Sequence, residues 1–349
     1  MKHFIGIDLG DNTNEVCVLD NKGKALESFR IVNDKDGLLS VFNKYPGSSI
    51  AIEAGTHALW IHDLAINHGI KIFVANPRKT YLISSGDRKN DKVDAYLLAK
   101  LLRSDSGLLF PVTLRDINTQ KDLVLLKNRD FLVRQRGDMI RHIRGIIKPF
   151  GLKLPASVTT DNFHETITDF VSKDDFECLA MMVNQIKQLS KDIKKLDKKI
   201  KDLISTKYPE AELLQTINGV GPITALTFLL IVGNPQRFSK SRKVGSYLGL
   251  VPKQDQSGAI DKSLGITKTG DQMMRRLLVN CSHHILGVFG KDTQLRRHGL
   301  KIMGETDNRV RKKKAVIAVA RKLAVLMHSM LISGQEFKNK VLVKEAKVI

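Results

Sequence analysis

His3–Asp20, HFIGIDLGDNTNEVCVLD, decides the fold of the N-terminal part of the chain. An apolar run, FIGID, meets a Gly turn and then a second apolar run, EVCVLD. That pattern predicts a β-hairpin with Asp8 on its first strand. A carboxylate in a strand that otherwise reads as buried is costly unless something holds it. Glu53 ends a second such run, SIAIEAG at 49–55. Asp91 and Asp94 lie in RKNDKVDAYLLAKLL at 88–102, which has helical periodicity, and residues three apart share one helix face. Two strand-borne acids and a helical pair match the carboxylate set that gathers divalent metals around a phosphodiester. The plainer alternative is a solvated helix face. The basic neighbours Arg78, Lys79, Arg88, Lys89 and Lys92 favour the phosphate reading.

Outward from these acids, strands are expected at 3–9, 15–20, 26–32, 49–53 and 70–74, and helices at 35–44, 57–68, 77–84 and 91–103. Strands first and helices interleaved later predict an α/β layer fold with a mixed sheet over residues 1–112, closed by Pro111. Residues 113–205 read as helical. LVLLKNRDFLVRQRGDMIRHIRGIIKPFG at 123–151 predicts a long basic helix, with Arg129, Arg134, Arg136, Arg141 and Arg144 too many for one face. In the next helix Ile186, Leu189, Ile193, Leu196, Ile200 and Leu203 alternate spacings of three and four, a coiled-coil seam with a lysine-rich outer face. The seam would join two copies of the chain or fold back on the preceding helix.

Residues 206–335 form a third segment, followed by a basic tail at 336–349. It opens with LLQTINGVGPITALTFLLIVG, in which Gly219, Gly221 and Pro222 separate two helical patterns. This resembles a helix-hairpin-helix element, whose turn offers backbone N–H groups to phosphate. The alternative is a simple tight turn. A polar, Gly-rich stretch at 238–286 follows, with Lys268, Arg275 and Arg276 as candidate nucleic-acid contacts. The adjacent His283 and His284 read as ordinary helical residues.

The chain has 349 residues and a formal charge of +21, from 57 Lys and Arg against 36 Asp and Glu. Such a balance points to a polyanionic partner, nucleic acid first. Cys17, Cys178 and Cys281 are far apart, so neither a zinc site nor a disulfide framework is indicated, which suits a reducing cytoplasm. No signal-peptide pattern opens the chain. AVIAVARKLAVLMHSMLI at 315–332 is interrupted by Arg321, Lys322 and His328, so a buried or amphipathic helix is expected and no membrane partner.

The order GIDLG, IEAG, KNDKVDA, a helical middle, INGVGPITA, SYLGLVPKQDQSG and LGITKTGDQMMRRLL resembles the DEDD transposases of the insertion sequence one-ten family, over nearly the whole chain. The resemblance implies an RNase H-like (RuvC-like) N-terminal domain, a coiled-coil middle and a mostly α C-terminal transposase domain. It implies that Asp8, Glu53, Asp91 and Asp94 bind Mg²⁺ or Mn²⁺. The family's nucleophilic serine lies in a Ser-Ser-Gly segment. Here that segment reads Gln256-Ser257-Gly258, so the nucleophile carries over to Ser257, with Ser263 the nearest alternative. The implied partners are donor and target double-stranded DNA, a structured non-coding guide RNA (a bridge RNA) and further copies of the chain as a dimer or tetramer. The implied setting is a prokaryotic cytoplasm, at the nucleoid. Base pairing would then read sequence while the protein holds backbones. One tryptophan and 6% aromatics leave few stacking platforms for base-by-base reading. Two other readings stay open: a metal-dependent junction endonuclease that uses only the acids, and a non-catalytic nucleic-acid-binding protein with a decayed nuclease domain.

Overall fold

The computed structural model describes residues 2–84, 90–155, 157–171, 174–254, 256–257, 260–261, 264–305 and 308–339. Arg88, Lys89, Ser263 and most of the basic tail lie outside them. The chain forms two compact units, Met1–Gln120 and Lys121–Ile349.

The first unit holds a five-stranded mixed sheet. Its strands are β1 (Phe4–Leu9), β2 (Thr13–Leu19), β3 (Ala25–Val32), β4 (Ser49–Glu53) and β5 (Lys71–Ala75), in the order β3-β2-β1-β4-β5. The expected hairpin is β1–β2, antiparallel, with Asp8 opposite Glu15. β4 lies parallel to β1, and Ile7 pairs with Ile52, so Asp8 and Glu53 are next in register. Helices α1 (Lys35–Lys44), α2 (Ala58–Asn67), α3 (Pro77–Ser84) and α4 (Asp91–Ser104) fill the connections.

Strand parity divides the sheet into two faces. Ile5, Ile7, Val16, Val18, Ile50, Ile52 and Val74 pack with Leu38, Val41 and Phe42 of α1 and Ala58, Ile61 and Ala65 of α2. The opposite face carries Cys17, Leu19, Ala51 and Ala75, which pack with Ala95, Leu98, Ala99, Leu101 and Leu102 of α4. Gly6 sits at the centre of that second face. A Cβ there would overlap the Ala95 carbonyl oxygen and stand 2.6 Å from the Ala99 nitrogen, so the α4 backbone rests directly on β1. The other end of α4 is fixed by Arg103, whose guanidinium lies against Gly23 and donates to the Asn21 carbonyl at 3.4 Å in the β2–β3 turn. That turn lies where β1 begins. α4 therefore runs antiparallel to β1, and its N-terminus points to the end of the sheet where β1 and β4 finish.

The second unit is helical. α5 (Ile117–Ile146) begins at the unit boundary, and α6 (Phe163–Val171) and α7 (Ala180–Lys207) follow. α8 (Glu210–Gln215), α9 (Pro222–Val232) and α10 (Arg242–Tyr247) come next. The short hairpin β6 (Gln256–Ser257) and β7 (Ile260–Asp261) precedes α11 (Gln272–Leu286), α12 (Gln294–Met303) and α13 (Arg309–Ser333). The apolar stripe of α7 is met by α5 within the same chain. Arg129 of α5 donates to Asp197 at 2.8 Å, Arg136 to Ser190 at 3.1 Å and Lys207 to Asp122 at 2.5 Å, an antiparallel ladder. The buried positions of α7 are Val183, Ile186, Ser190, Ile193, Ile200 and Ile204. Leu189, Leu196 and Leu203 are half-buried beside them. Within the chain, α5 covers the buried side of this seam.

Ile200 and Ile204 of α7 and Leu123 and Leu126 of α5 share one core with α8, α9, α11 and α13. The helical middle and the segment after it are thus one packed body at this point. α13 is long and apolar enough by composition to cross a membrane, yet half of that window is buried in the unit. Buried His328 is held there by the Ser241 hydroxyl and the Pro235 carbonyl, at 2.9 and 3.0 Å.

Gly6→Ala should cost roughly 1–3 kcal/mol, because the methyl overlaps helix backbone that cannot swing aside. Gly55, with nothing within 4 Å of a built Cβ, should accept Ala with little change. Thermal melts of the two variants check this, and equal midpoints would contradict the packing.

Candidate active site and nucleic-acid interface

Asp8 and Glu53 lie on the α4-covered face of the sheet, each at the end of its strand and each half-buried. Asn90 caps α4, accepting from the Lys92 amide at 3.0 Å, a contact worth about 1 kcal/mol. The cap starts the helix at Asp91, which is exposed, and places Asp94 half-buried one turn on. All four acids therefore gather at one end of one sheet face. The Thr80 hydroxyl approaches Glu53 Oε1 at 3.5 Å. Asn14 and Asn33 pin the turn after Asp8: Asn14 Oδ1 accepts from the Gly10 amide at 3.3 Å, and Asn33 donates to the Gly10 carbonyl at 2.7 Å.

Carboxylate oxygens from four positions are the donor set that hard divalent cations take. Among the described residues, no three acidic, His or Cys side chains stand close enough together to hold an ion. The β1–β4 register and the seating of α4 on Gly6 bring these positions to one end of the face.

Two features of this end went unnoticed in the sequence. Glu15, opposite Asp8, is 4% exposed and paired with Arg30 at 2.6 Å. Its Oε2 is buried with no hydrogen-bond partner. The only signal in the sequence was a second charge inside a buried strand. His57 accepts from Trp60 Nε1 at its Nδ1 (3.2 Å), which leaves the proton of the neutral ring on Nε2, facing Asp11 at 3.3 Å.

In the second unit Ser257 lies in β6, its backbone paired with Ile260 of β7. Pro252 and Ile266 form a separate antiparallel bridge, with the Lys253 amide donating to the Gly265 carbonyl at 2.8 Å. The expected turn joins α8 to α9, with Gly221 at the N-cap of α9. Gly219 has φ +92°, and a Cβ there would stand 3.0 Å from His284 and 3.1 Å from Ile285 of α11. That glycine serves close packing on α11. Space beside Gly221 is open.

The basic candidates divide. The Arg275 guanidinium caps three carbonyls, those of Leu248 (3.3 Å), Thr269 and Gly270 (3.0 Å), and Arg276 pairs with Asp130. Lys268 is exposed, at the left-handed φ of +55° that costs a non-glycine residue roughly 1–2 kcal/mol. The five arginines of α5 are likewise engaged: Arg129 with Asp197, Arg134 with Asp130, Arg136 with Asp161, Arg141 with Asp138 and Arg144 with the Val158 carbonyl. By contrast Lys187, Lys191, Lys194, Lys198, Lys199 and Lys201 of α7 are exposed.

An α/β unit with acids at the strand ends, joined to a basic helical unit, is the outline of an enzyme acting on nucleic-acid phosphodiesters. A family model for DEDD transposases of the IS110 group, described as Transposase, matches residues 5–150. The model described as Transposase IS116/IS110/IS902 family matches residues 211–296. The transposase for insertion sequence element IS1111A of Coxiella burnetii is 26% identical, over 96% of this chain and 91% of that protein. The transposase for element IS1328 of Yersinia enterocolitica is 27% identical, over 80% and 82%. The pilin gene-inverting protein of Moraxella lacunata is 27% identical, over 97% and 99%. The chain belongs to the IS110 family of DEDD transposases. It is an insertion-sequence transposase, an enzyme whose substrate is DNA.

Arg275→Ala should lower stability by roughly 1–3 kcal/mol, because the Leu248, Thr269 and Gly270 carbonyls lose a shared charged donor. Lys268→Ala should leave the melt unchanged and reduce the salt dependence of DNA binding by about one phosphate contact. Melting curves and binding titrations at several salt concentrations separate the two roles.

Proposed function

We propose that the chain is an RNA-guided DNA recombinase working through metal-bound acids and a covalent phosphoserine intermediate. The observation that carries this reading is the gathering of Asp8, Glu53, Asp91 and Asp94 at one end of the sheet. The strand order β3-β2-β1-β4-β5, with its antiparallel hairpin and parallel crossover, supports an RNase H-like assignment. When bound there, Mg²⁺ or Mn²⁺ supplies Lewis-acid polarisation of a phosphate oxygen. The four carboxylates hold the charge and fix its position at the strand ends. Ser257 Oγ attacks the phosphorus and gives up its proton. The Oγ–P bond forms as the P–O bond to the leaving strand breaks, and that strand departs as a hydroxyl after taking a proton. A hydroxyl from the partner strand reverses the sequence, so the number of phosphoester bonds is conserved and no external energy source is needed.

The guide RNA reading rests on the family resemblance and on a charge of +21 carried largely by exposed lysines, which bind backbones without reading sequence. Relatives named as pilin gene-inverting proteins, aligned nearly end to end, support strand exchange over simple hydrolysis. Assembly as a dimer or tetramer in a prokaryotic cytoplasm, at the nucleoid, belongs to the same reading.

Ser257→Ala should remove strand exchange and the protease-sensitive protein–DNA species seen on denaturing gels. Asp8→Asn should lower cleavage by on the order of a hundredfold or more, because an acceptor of transition-state charge is lost, and leave RNA binding intact. A wild-type enzyme that cleaves DNA in Mg²⁺ without ever forming the adduct would instead be a junction endonuclease using the acids alone.

A further inference from the structure

The second unit contains a groove of about 1410 Å³ between α11, α12, α13 and the Pro252–Ile266 bridge. Its floor is aliphatic: Val279 and Leu286 from α11, Ile302 and Met303 from α12, Ile317 and Val325 from α13. Its rim is cationic. Arg242, Lys268, Lys314, Arg321 and Lys322 line it, and among the described lining residues there is no Asp or Glu. His298 also lines it, and burial, with Lys322 and Lys301 nearby, holds its imidazole below the ordinary value, so the ring is neutral at pH 7. Pro252, Leu264 and Ile266 form the wall at that bridge. Ser257 lies four residues beyond Lys253 in the sequence, so the chain between them can span at most about 14 Å.

A duplex presents phosphates on its outside and hides its bases, so it can use the rim but not the floor. An unpaired strand presents both. A ribose would bring a 2′-hydroxyl onto a floor whose six named side chains offer it no oxygen or nitrogen partner, a desolvation cost that a deoxyribose avoids. We propose that the groove seats an unpaired stretch of the DNA strand adjoining the phosphodiester under attack. Bases and deoxyriboses lie on the aliphatic floor and phosphates lie along the cations of α13. The inference deepens the recombinase reading and rests on it for the role of Ser257. Aliphatic side chains sandwich bases without discriminating among them, so the groove holds a strand and leaves sequence to be read elsewhere.

The test uses the full chain and a single-stranded DNA oligonucleotide carrying 5-iodouracil. After irradiation, crosslinked peptides should map to α12 or α13. Lys314→Glu combined with Lys322→Glu should weaken single-stranded DNA binding by at least about tenfold and lower its salt slope by roughly 1.4, while duplex binding changes little. The same double variant should bind single-stranded RNA of the same sequence with little change. Crosslinks that map only outside α11–α13, or an equal loss of RNA and DNA binding in the double variant, would overturn the proposal. An equal loss of duplex and single-strand binding would reduce the groove to general basic surface and overturn it too. The crosslink map of the unaltered protein keeps the test decisive even if the double variant folds poorly. If the groove binds DNA as expected but no Ser257-dependent adduct forms, the recombinase mechanism fails and the groove stands. If the adduct forms and the groove variants bind single strands normally, the groove fails and the mechanism stands.

Discussion

The contact of Gly6 with the backbone of α4 is the constraint on which the N-terminal unit depends. A helix resting on a strand with no side chain between them cannot shift sideways or roll without losing the contact. Arg103 at the β2–β3 turn then fixes which way the helix points. With contact point and direction both set, the first turn of α4 falls at the ends of β1 and β4. The placement of Asp91 and Asp94 near Asp8 and Glu53 is thus a consequence of packing at Gly6 and Ala95. The acids themselves repel one another and could not have organised this end of the sheet.

The helical unit is held by a different means. Its two longest helices, α5 and α7, are rich in charge, and the five arginines of α5 are paired with carboxylates or a carbonyl of the chain. Arg129 and Arg136 tie α5 to α7 or to the chain before α6, while Arg275 closes the carbonyls of the loop before α11. The planar guanidinium, with several fixed donors, suits such work. The lysines of α7 are left in solvent, where a flexible ammonium meets a polyanion without fixed geometry. A net charge that reads in the sequence as one undivided signal for nucleic acid is therefore two populations with different jobs.

The same distinction explains what was legible in the sequence. The β1–β5 strands and α1–α4 could be read because Gly and Pro punctuate them and their apolar periods are clean. Asp8 and Glu53 could be singled out because each interrupts an apolar strand, and Asp91 with Asp94 because residues three apart share a helix face; that Asp8 and Glu53 lie on one face of the sheet comes from the β1–β4 register. Gly219 was read as a phosphate turn; glycine is required there by its φ of +92° and by the close approach of His284 and Ile285, more than sixty residues away in the chain. Arg275 and Arg276 looked available because their acceptors, the Leu248 and Gly270 carbonyls and Asp130, lie on other elements. The seam of α7 could be recognised as apolar, but periodicity does not say which helix covers it. The groove was invisible for the same reason: its floor and rim come from separate elements spread over residues 242 to 325.

Specificity follows from what these surfaces can and cannot distinguish. Exposed lysines bind phosphates at nearly the same strength whatever the sequence between them. Arg129, Arg136, Arg275 and Arg276 are held by carboxylates and carbonyls of the chain itself, which withdraws those four guanidiniums from direct readout of guanine edges. The aliphatic groove accepts any base. On the recombinase reading proposed above, choice of site is delegated to a nucleic-acid guide that pairs with bases, and the exposed lysines of α7 need only hold its backbone.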